Sequence, residues 1–135
     1  MKSISLRSFV VLALVAVSFS LVPGASAQEE VKKGSKLRKE LFELARPDIE
    51  AAAGRAVLFN GSMKRLGSWA FFLGNIVTAD GGPIRIGPAE SGDTALLWSL
   101  KNGVWFLMEA EVGFTDVIYL EWSDKHGFPG ALTGN

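Results

Sequence analysis

Two glutamates near the C-terminal end of the chain have the residue type and spacing that acid–base catalysis requires. Glu109 and Glu111 lie two residues apart in an apolar run, so a β-strand would present both carboxylates on the same face. Glycoside hydrolysis uses two carboxyl groups roughly 5–9 Å apart, one as the acid and the other as the nucleophile or base. The same spacing is also common on the solvent-facing side of ordinary strands, so the pair alone does not indicate an enzyme.

The single histidine, His126, is the other candidate for acid–base chemistry. It follows Asp124 and lies near Asp116 and Glu121 in the sequence, so a carboxylate could orient it as a general base. It also ends a predicted helix, where the helix dipole favours a positive charge, and the sequence suggests no nucleophile. We therefore expect a non-enzymatic protein without catalytic residues, with a small hydrolase that uses His126 or the glutamate pair as the alternative.

Metal and cofactor chemistry has little support in the sequence. The chain has no cysteine and one histidine, which argues against a transition-metal site. The segments Asp80-Gly81-Gly82 and Gly92-Asp93 lack the run of ligands that a calcium loop needs. Gly81-Gly82-Pro83 lacks the lysine and the following helix of a phosphate-binding loop. We expect no metal and no cofactor.

Within the apolar run Val104–Val112, an alternation with a period of two residues separates two faces. Phe106 and Met108 fall on the face that is predicted to pack against a helix, whereas Trp105 shares the other face with the two glutamates. A tryptophan beside acids on an open sheet face is typical of a surface that binds a glycan, a peptide or the hydrophobic edge of a partner. The candidate ligand-binding residues on this strand are Trp105, Glu109 and Glu111.

Asp116 is the fourth candidate ligand-binding residue, because it follows the end of this strand and precedes a predicted helix. The same position suits a helix cap. The side-chain oxygens of Thr115 and Asp116 can accept hydrogen bonds from the first amides of a helix that runs to about Lys125 and stops at Gly127. We favour the cap and keep the ligand role as the alternative.

A helix begins near Leu37, where apolar residues start to recur at helical spacing. Ser35 is a suitable N-cap and Gly54 a suitable stop. Pro47 lacks a backbone donor and crowds the preceding turn, which predicts a kink or break near Ala45–Arg46. The helix face predicted to meet the sheet consists of Leu37, Leu41, Leu44 and Ile49.

Four strands should follow the helix. The first two are joined at Gly67-Ser68, although Asn60-Gly61 is an alternative turn, and Lys101-Asn102-Gly103 makes a strong hairpin between the last two. A long loop, Ala79–Asp93, separates the pairs and has room for a short strand at Ile84–Ile86; such loops are often functional. The predicted strands are Val57–Lys64, Trp69–Val77, Thr94–Leu100 and Val104–Val112.

The predicted helices and the predicted β-hairpins occupy separate parts of the sequence, an order that is typical of an α+β fold. We expect an N-terminal helix packed on one antiparallel sheet of about four strands, followed by a short C-terminal helix. All four tryptophans remain available to its core, since each can bury on the order of 150–250 Å². This helix-then-sheet order is also similar to cystatin-like folds, an analogy that implies nothing about function.

The first 27 residues have the pattern of a cleaved export signal. Lys2 and Arg7 precede an apolar run from Phe9 to Val22, and Ala25-Ser26-Ala27 supplies the small residues of a cleavage site. The run is shorter than the roughly 20 residues of a membrane span. We expect residues 1–27 to be a signal peptide, 28–36 a flexible leader and 37–135 a single domain in the periplasm or outside the cell.

Charge excludes two classes of partner. The signal holds two of the 14 basic residues and none of the 14 acidic ones, so the remainder has a net charge of −2. Such a domain lacks the positive patch that nucleic acid or anionic lipid requires, and after cleavage it should have no stable membrane insertion. The partner we expect is a protein, a peptide or an envelope component, bound through the sheet face and the 79–93 loop.

Several segments together resemble a family of small exported proteobacterial proteins that is generally uncharacterised. The likeness spans most of the chain after the signal and implies export, but it brings no activity, cofactor or catalytic residue. The segments that carry it are Arg46-Pro47, Gly67-Ser68-Trp69-Ala70-Phe71-Phe72, Asn102-Gly103-Val104-Trp105, Gly113-Phe114-Thr115-Asp116-Val117 with Trp122, and Gly127-Phe128-Pro129.

Overall fold

A computed structural model describes residues 28–133, so the predicted export signal lies outside the described residues. The fold is α+β, as the sequence predicts, with five strands that pair in chain order as one antiparallel meander. Two short 3-10 turns, Ile118–Glu121 and Gly130–Thr133, flank the second helix. The elements are β1 (Glu29–Glu30), α1 (Lys36–Ala53), β2 (Leu58–Leu66), β3 (Trp69–Val77), β4 (Asp93–Lys101), β5 (Val104–Val112) and α2 (Trp122–His126).

The strand that the sequence does not predict is β1, which lies within the expected flexible leader, 28–36. Glu29 and Glu30 pair with β2, and the next residue, Val31, is buried and donates its N–H to Met63 O at 2.8 Å. Two charged residues carry no strand periodicity, so only the contact with β2 makes this segment extended.

Helix α1 has the ends that the sequence predicts. Ser35 Oγ accepts from the N–H of Arg38, and Gly54 ends the helix with φ of 72°. The expected break near Ala45–Arg46 is absent, because α1 runs without interruption past Pro47. Pro47 is exposed, so its ring lies on the solvent side while Ala45 and Ile49 pack on the sheet.

Both predicted hairpins form. Gly67-Ser68 joins β2 to β3, and Asn102-Gly103 joins β4 to β5 with both residues at positive φ, the conformation that this pair tolerates. Gly61, the alternative turn, instead lies within β2 opposite Gly74. The backbones approach so closely here that a Cβ on either glycine would clash with the other strand.

The sheet is covered on both faces. On one face α1 packs Leu41, Phe42 and Ile49 against Phe72 and other apolar side chains of the sheet. Leu44, predicted for the core, is 40% exposed. On the opposite face the C-terminal segment after β5 packs on the strands. Its buried side chains are Trp122, Phe128 and Leu132.

The 79–93 loop is tied to the sheet rather than free. Isolated bridges pair Ile86 with Ser91 and Val77 with Pro83, and Ile84 is buried, although the short strand expected at Ile84–Ile86 does not form. Asp80 accepts from Thr78 Oγ1 and from backbone N–H groups, which holds the pKa of its carboxyl below the usual value. The loop therefore presents fixed backbone beside the end of β5.

Candidate functional site

A groove of about 420 Å³ runs along the outer edge of β5. Its walls are Asp48, Ile49 and Ala52 of α1, the 86–87 turn of the long loop, and residues 107–112 of β5. Consecutive residues of a strand point to opposite faces. Because all six of these β5 residues line the groove, it follows the strand edge and does not belong to one face of the sheet.

The backbone on this edge has no partner within residues 28–133. Strand β5 is the last strand of the sheet and pairs only with β4. In an antiparallel ladder about half of the N–H and C=O groups of an edge strand point away from its neighbour. No backbone hydrogen bond joins Val104–Val112 to any described segment other than β4. The long loop lies close to the C-terminal end of this edge, where a Cβ on Gly87 would be 2.8 Å from Val112 O, so the outward groups before Val112 are the ones open to an added strand.

A β-bulge in β5 overturns the predicted assignment of faces. Trp98 pairs with Leu107 and Leu97 with Glu109, so Met108 is the extra residue. Trp105 and Leu107, which precede the bulge, pack on the helix side of the sheet. Ala110 and Val112, which follow it, pack on the same side. Met108 packs on the opposite face, with the C-terminal segment. An unbroken alternation across nine residues could not anticipate this shift.

The prediction that Phe106 and Met108 face α1 is therefore wrong, and so is the expected exposure of Trp105. Trp105 is buried, at 7% exposure, and the guanidinium of Arg65 lies 5.2 Å from its ring centroid. Phe106 is 49% exposed. Trp105 lies on the helix side of the sheet, whereas Glu109 and Glu111 lie on the other, so the expected Trp–Glu surface does not form.

Glu109 is the centre of a small charged cluster. Lys125 Nζ lies 2.7 Å and His126 Nε2 2.6 Å from the same carboxylate oxygen, Oε2. Burial alone would raise the pKa of Glu109, but the hydrogen bonds and charges of Lys125 and His126 outweigh it and hold the pKa below the usual value. The ionised carboxylate accepts from both, which ties α2 to the bulge of β5.

The structure brings the glutamate pair of the hydrolase alternative to one groove, but it does not bring His126 there with them. His126 contacts Glu109, but the groove lined by Glu109 and Glu111 does not include His126. Lys125 and His126 therefore contact Glu109 from positions that do not line the groove. In the described residues no three histidine, aspartate or glutamate side chains gather closely enough to hold a metal ion.

A second groove, of about 570 Å³, continues from the first at the C-terminal end of β5. Glu111 and Val112 line both grooves. Asp116 lines the second one, so this cavity brings Glu111 and Asp116 together, as the edge groove brings Glu109 and Glu111 together. Its remaining walls are Pro88 and the segment from Phe114 to Glu121.

Asp116 and Thr115 do not cap a helix, contrary to the favoured interpretation. The 3-10 turn begins after Val117 and α2 begins after Glu121, and neither start has a side-chain cap. Gly127 does end α2, with φ of 72°. Asp116 is exposed and its side chain has no hydrogen bond among the described contacts, so the cap is ruled out and the ligand role of this residue stays a prediction.

Residues that sequence reasoning missed are Asp48 and Lys125, the first on the wall of the edge groove and the second on Glu109. In the sequence both resemble ordinary surface charges on helices, and their position depends on how the helices cross the sheet.

Comparisons with known proteins gave no matching family model, no similar curated protein and no similar solved structure. Across residues 28–133, no helix is both long enough and apolar enough to span a bilayer.

Proposed function

We propose that this chain is an exported, non-enzymatic binding domain that holds an extended peptide segment along β5 as a sixth strand of the sheet. The observation that carries the proposal is the groove beside a strand edge whose outward backbone groups are unpartnered. Strand addition of this kind takes its affinity from main-chain hydrogen bonds and its specificity from alternate side chains. The resemblance to small exported proteobacterial proteins agrees with a periplasmic or extracellular location.

The groove indicates the kind of segment that fits. On the helix side its wall is apolar and small, with Ile49, Ala52 and Val112, so that side suits medium-sized apolar side chains. The charged lining residues are Asp48, Glu109 and Glu111, and no basic residue lines the groove. Glu109 is already paired with Lys125, so the uncompensated negative charge comes from Asp48 and Glu111. Charge complementarity therefore favours an extended segment that carries apolar and basic side chains and no acidic ones.

The same charges disfavour a second copy of the chain as the occupant. If β5 paired with β5 of another molecule, glutamates of both copies would share one strand interface, and like charges in opposed positions are destabilising. Charge is therefore the feature of this edge that favours a partner of different sequence over a second copy.

The test uses nine-residue peptides, matched to the length of β5, with valine, threonine and one arginine and without acids. Added strands hydrogen-bond through alternate residues, so N-methylation of one alternate set of amides should lower affinity about tenfold or more, and methylation of the other set should not. Fluorescence anisotropy measures both. Equal effects of the two sets, or no binding of the unmodified peptide, would contradict the proposal.

A matched pair of variants tests the location. Ala52→Trp places an indole in the groove, whereas Ala51→Trp puts the same side chain one position further round α1, where it does not line the groove. Both positions are exposed, so both variants should fold. Peptide binding should fall about tenfold in the first and stay at the parent level in the second.

Export has its own test. The intact mass of the protein recovered from a periplasmic fraction should correspond to a chain that begins at Gln28, because cleavage after Ala27 fits the small-residue site. A retained N-terminus or a product in the membrane fraction would show that residues 1–27 are not a cleaved signal.

A further inference from the structure

The groove at the end of β5 has a composition that the edge groove does not share. It exposes large apolar side chains, with Val117 at 52% and Leu120 at 36% exposure, beside Glu111, Asp116 and Glu121. No basic residue lines it. Within residues 28–133 none of these three acids forms a salt bridge; Lys125 and His126 contact Glu109 instead.

We infer that this groove, Pro88 and residues 111–121, is a specificity pocket for one long cationic side chain of the bound peptide, and that arginine fits it best. The inference rests on the proposed strand addition along β5. An arginine has an apolar stem that can lie on Val117 and Leu120 while its head stays near water. Its planar guanidinium offers five donors that suit several carboxylates at once.

Continuity between the grooves fixes which peptide residue is involved. Glu111 and Val112 line both grooves, so a strand lying along β5 passes the mouth of the pocket at this point. Glu111 and the pocket lie on the face of the sheet covered by the C-terminal segment, so the peptide residue opposite Glu111 directs its side chain there. One position of the peptide is therefore selected for positive charge.

The neighbouring position on the same face should show no such preference. Two residues away, Glu109 is already paired with Lys125 Nζ at 2.7 Å and with His126 Nε2 at 2.6 Å. A basic peptide side chain opposite Glu109 would meet a neutralised carboxylate and the ammonium of Lys125. The structure thus distinguishes two adjacent glutamates that look equivalent in sequence.

The experiment scans a single arginine through the nine-residue valine–threonine peptide, with citrulline, which has the same shape without the charge, as the control at every position. Arginine should bind about tenfold more tightly than citrulline at one position only. Asp116→Asn with Glu121→Gln should remove that difference. Asp124→Asn, an exposed acid on α2 that does not line the pocket, should leave it unchanged.

A charge exchange completes the test. Glu111→Lys should reverse the preference, so that a glutamate peptide binds the variant more tightly than the arginine peptide does. If arginine and citrulline peptides bind equally while the N-methylation pattern still holds, strand addition stands and the specificity pocket is wrong. If no peptide binds at all, both proposals are wrong.

Discussion

At the β2 edge of the sheet the outward backbone groups are bound by other parts of the same chain, whereas at the β5 edge they are not. Arg38 Nη2 donates to Gly61 O at 2.9 Å, Val31 N–H donates to Met63 O, and β1 pairs with residues 64 and 65. Just before β2, Arg46 Nη1 donates to Val57 O at 2.7 Å. No comparable contacts reach Val104–Val112 in the described part of the chain.

This difference separates an edge that the fold uses for itself from an edge whose outward groups no described segment binds. Arg38 is buried, and desolvation lowers its pKa; such a group is retained only when its donors are used. Its side chain reaches from α1 to the β2 edge and also donates to Val31 O, just after β1. The β5 edge instead carries acidic side chains and a bulge, features by which natural sheets limit edge-to-edge pairing.

The largest expected effect concerns how β5 is held. With no hydrogen bonds on its outer side, β5 depends on β4 and on the burial of Trp105. Trp105→Ala should lower the free energy of unfolding by about 3–5 kcal/mol, measured by urea denaturation.

Phe106→Ala is the matched control, because its ring is half exposed and on the other face. Phe106→Ala should lower the free energy of unfolding by about 1 kcal/mol or less. A larger loss for Phe106 than for Trp105 would restore the face assignment that unbroken alternation predicts.

Opening the closed edge should have the next largest effect. Arg38→Ala removes two hydrogen bonds from a charged donor and leaves the carbonyl oxygens of Val31 and Gly61 without them. We expect a loss of about 2–3 kcal/mol and faster hydrogen exchange at the amides of β1.

Lys39→Ala, at the adjacent exposed position, should change neither quantity. If amide hydrogen exchange in β1 did not change in Arg38→Ala, the backbone hydrogen bonds to β2 alone would hold β1 in place.

The charged cluster behind the open edge should give a smaller, pH-dependent effect. The pKa of Glu109 is lower in the folded state than its usual 4.5, so the carboxylate stabilises the fold fully above pH 4.5 and loses this contribution as the pH falls through the folded-state pKa. Glu109→Gln should lower the free energy of unfolding by about 1 kcal/mol at neutral pH. In this variant the free energy of unfolding should also fall less steeply with decreasing pH on the acid side.

Glu111→Gln, two residues along the same face, has no such pair and serves as the control. If the free energy of unfolding fell equally steeply with decreasing pH in the parent and in Glu109→Gln, Lys125 and His126 would not stabilise the ionised form of Glu109.

The smallest effect is expected at Asp116. Because its side chain caps neither short helix, Asp116→Ala should change the free energy of unfolding by no more than about 0.5 kcal/mol, while binding of the arginine peptide falls. A thermal melt and an anisotropy titration on the same sample check both. A loss of stability near 1–2 kcal/mol would return Asp116 to the role of a cap.

Local sequence determined the elements of this protein. Helical spacing with Ser35 and Gly54 at its ends set α1, and Asn102-Gly103 set the last hairpin, because cap and turn preferences act over a few residues. These predictions required no knowledge of distant residues. The α+β class followed from the order of those elements.

Tertiary structure alone decided the faces, the edges and the site. The bulge at Met108 depends on how β5 aligns with β4, and it moved Trp105 into the core although alternation placed it outside. Glu109 and His126 are 17 residues apart in sequence, and Asp116 lines one cavity with Glu111 because the chain turns back over the sheet. Periodicity reports which residues of a strand alternate, but which side faces the core is fixed by long-range pairing and packing.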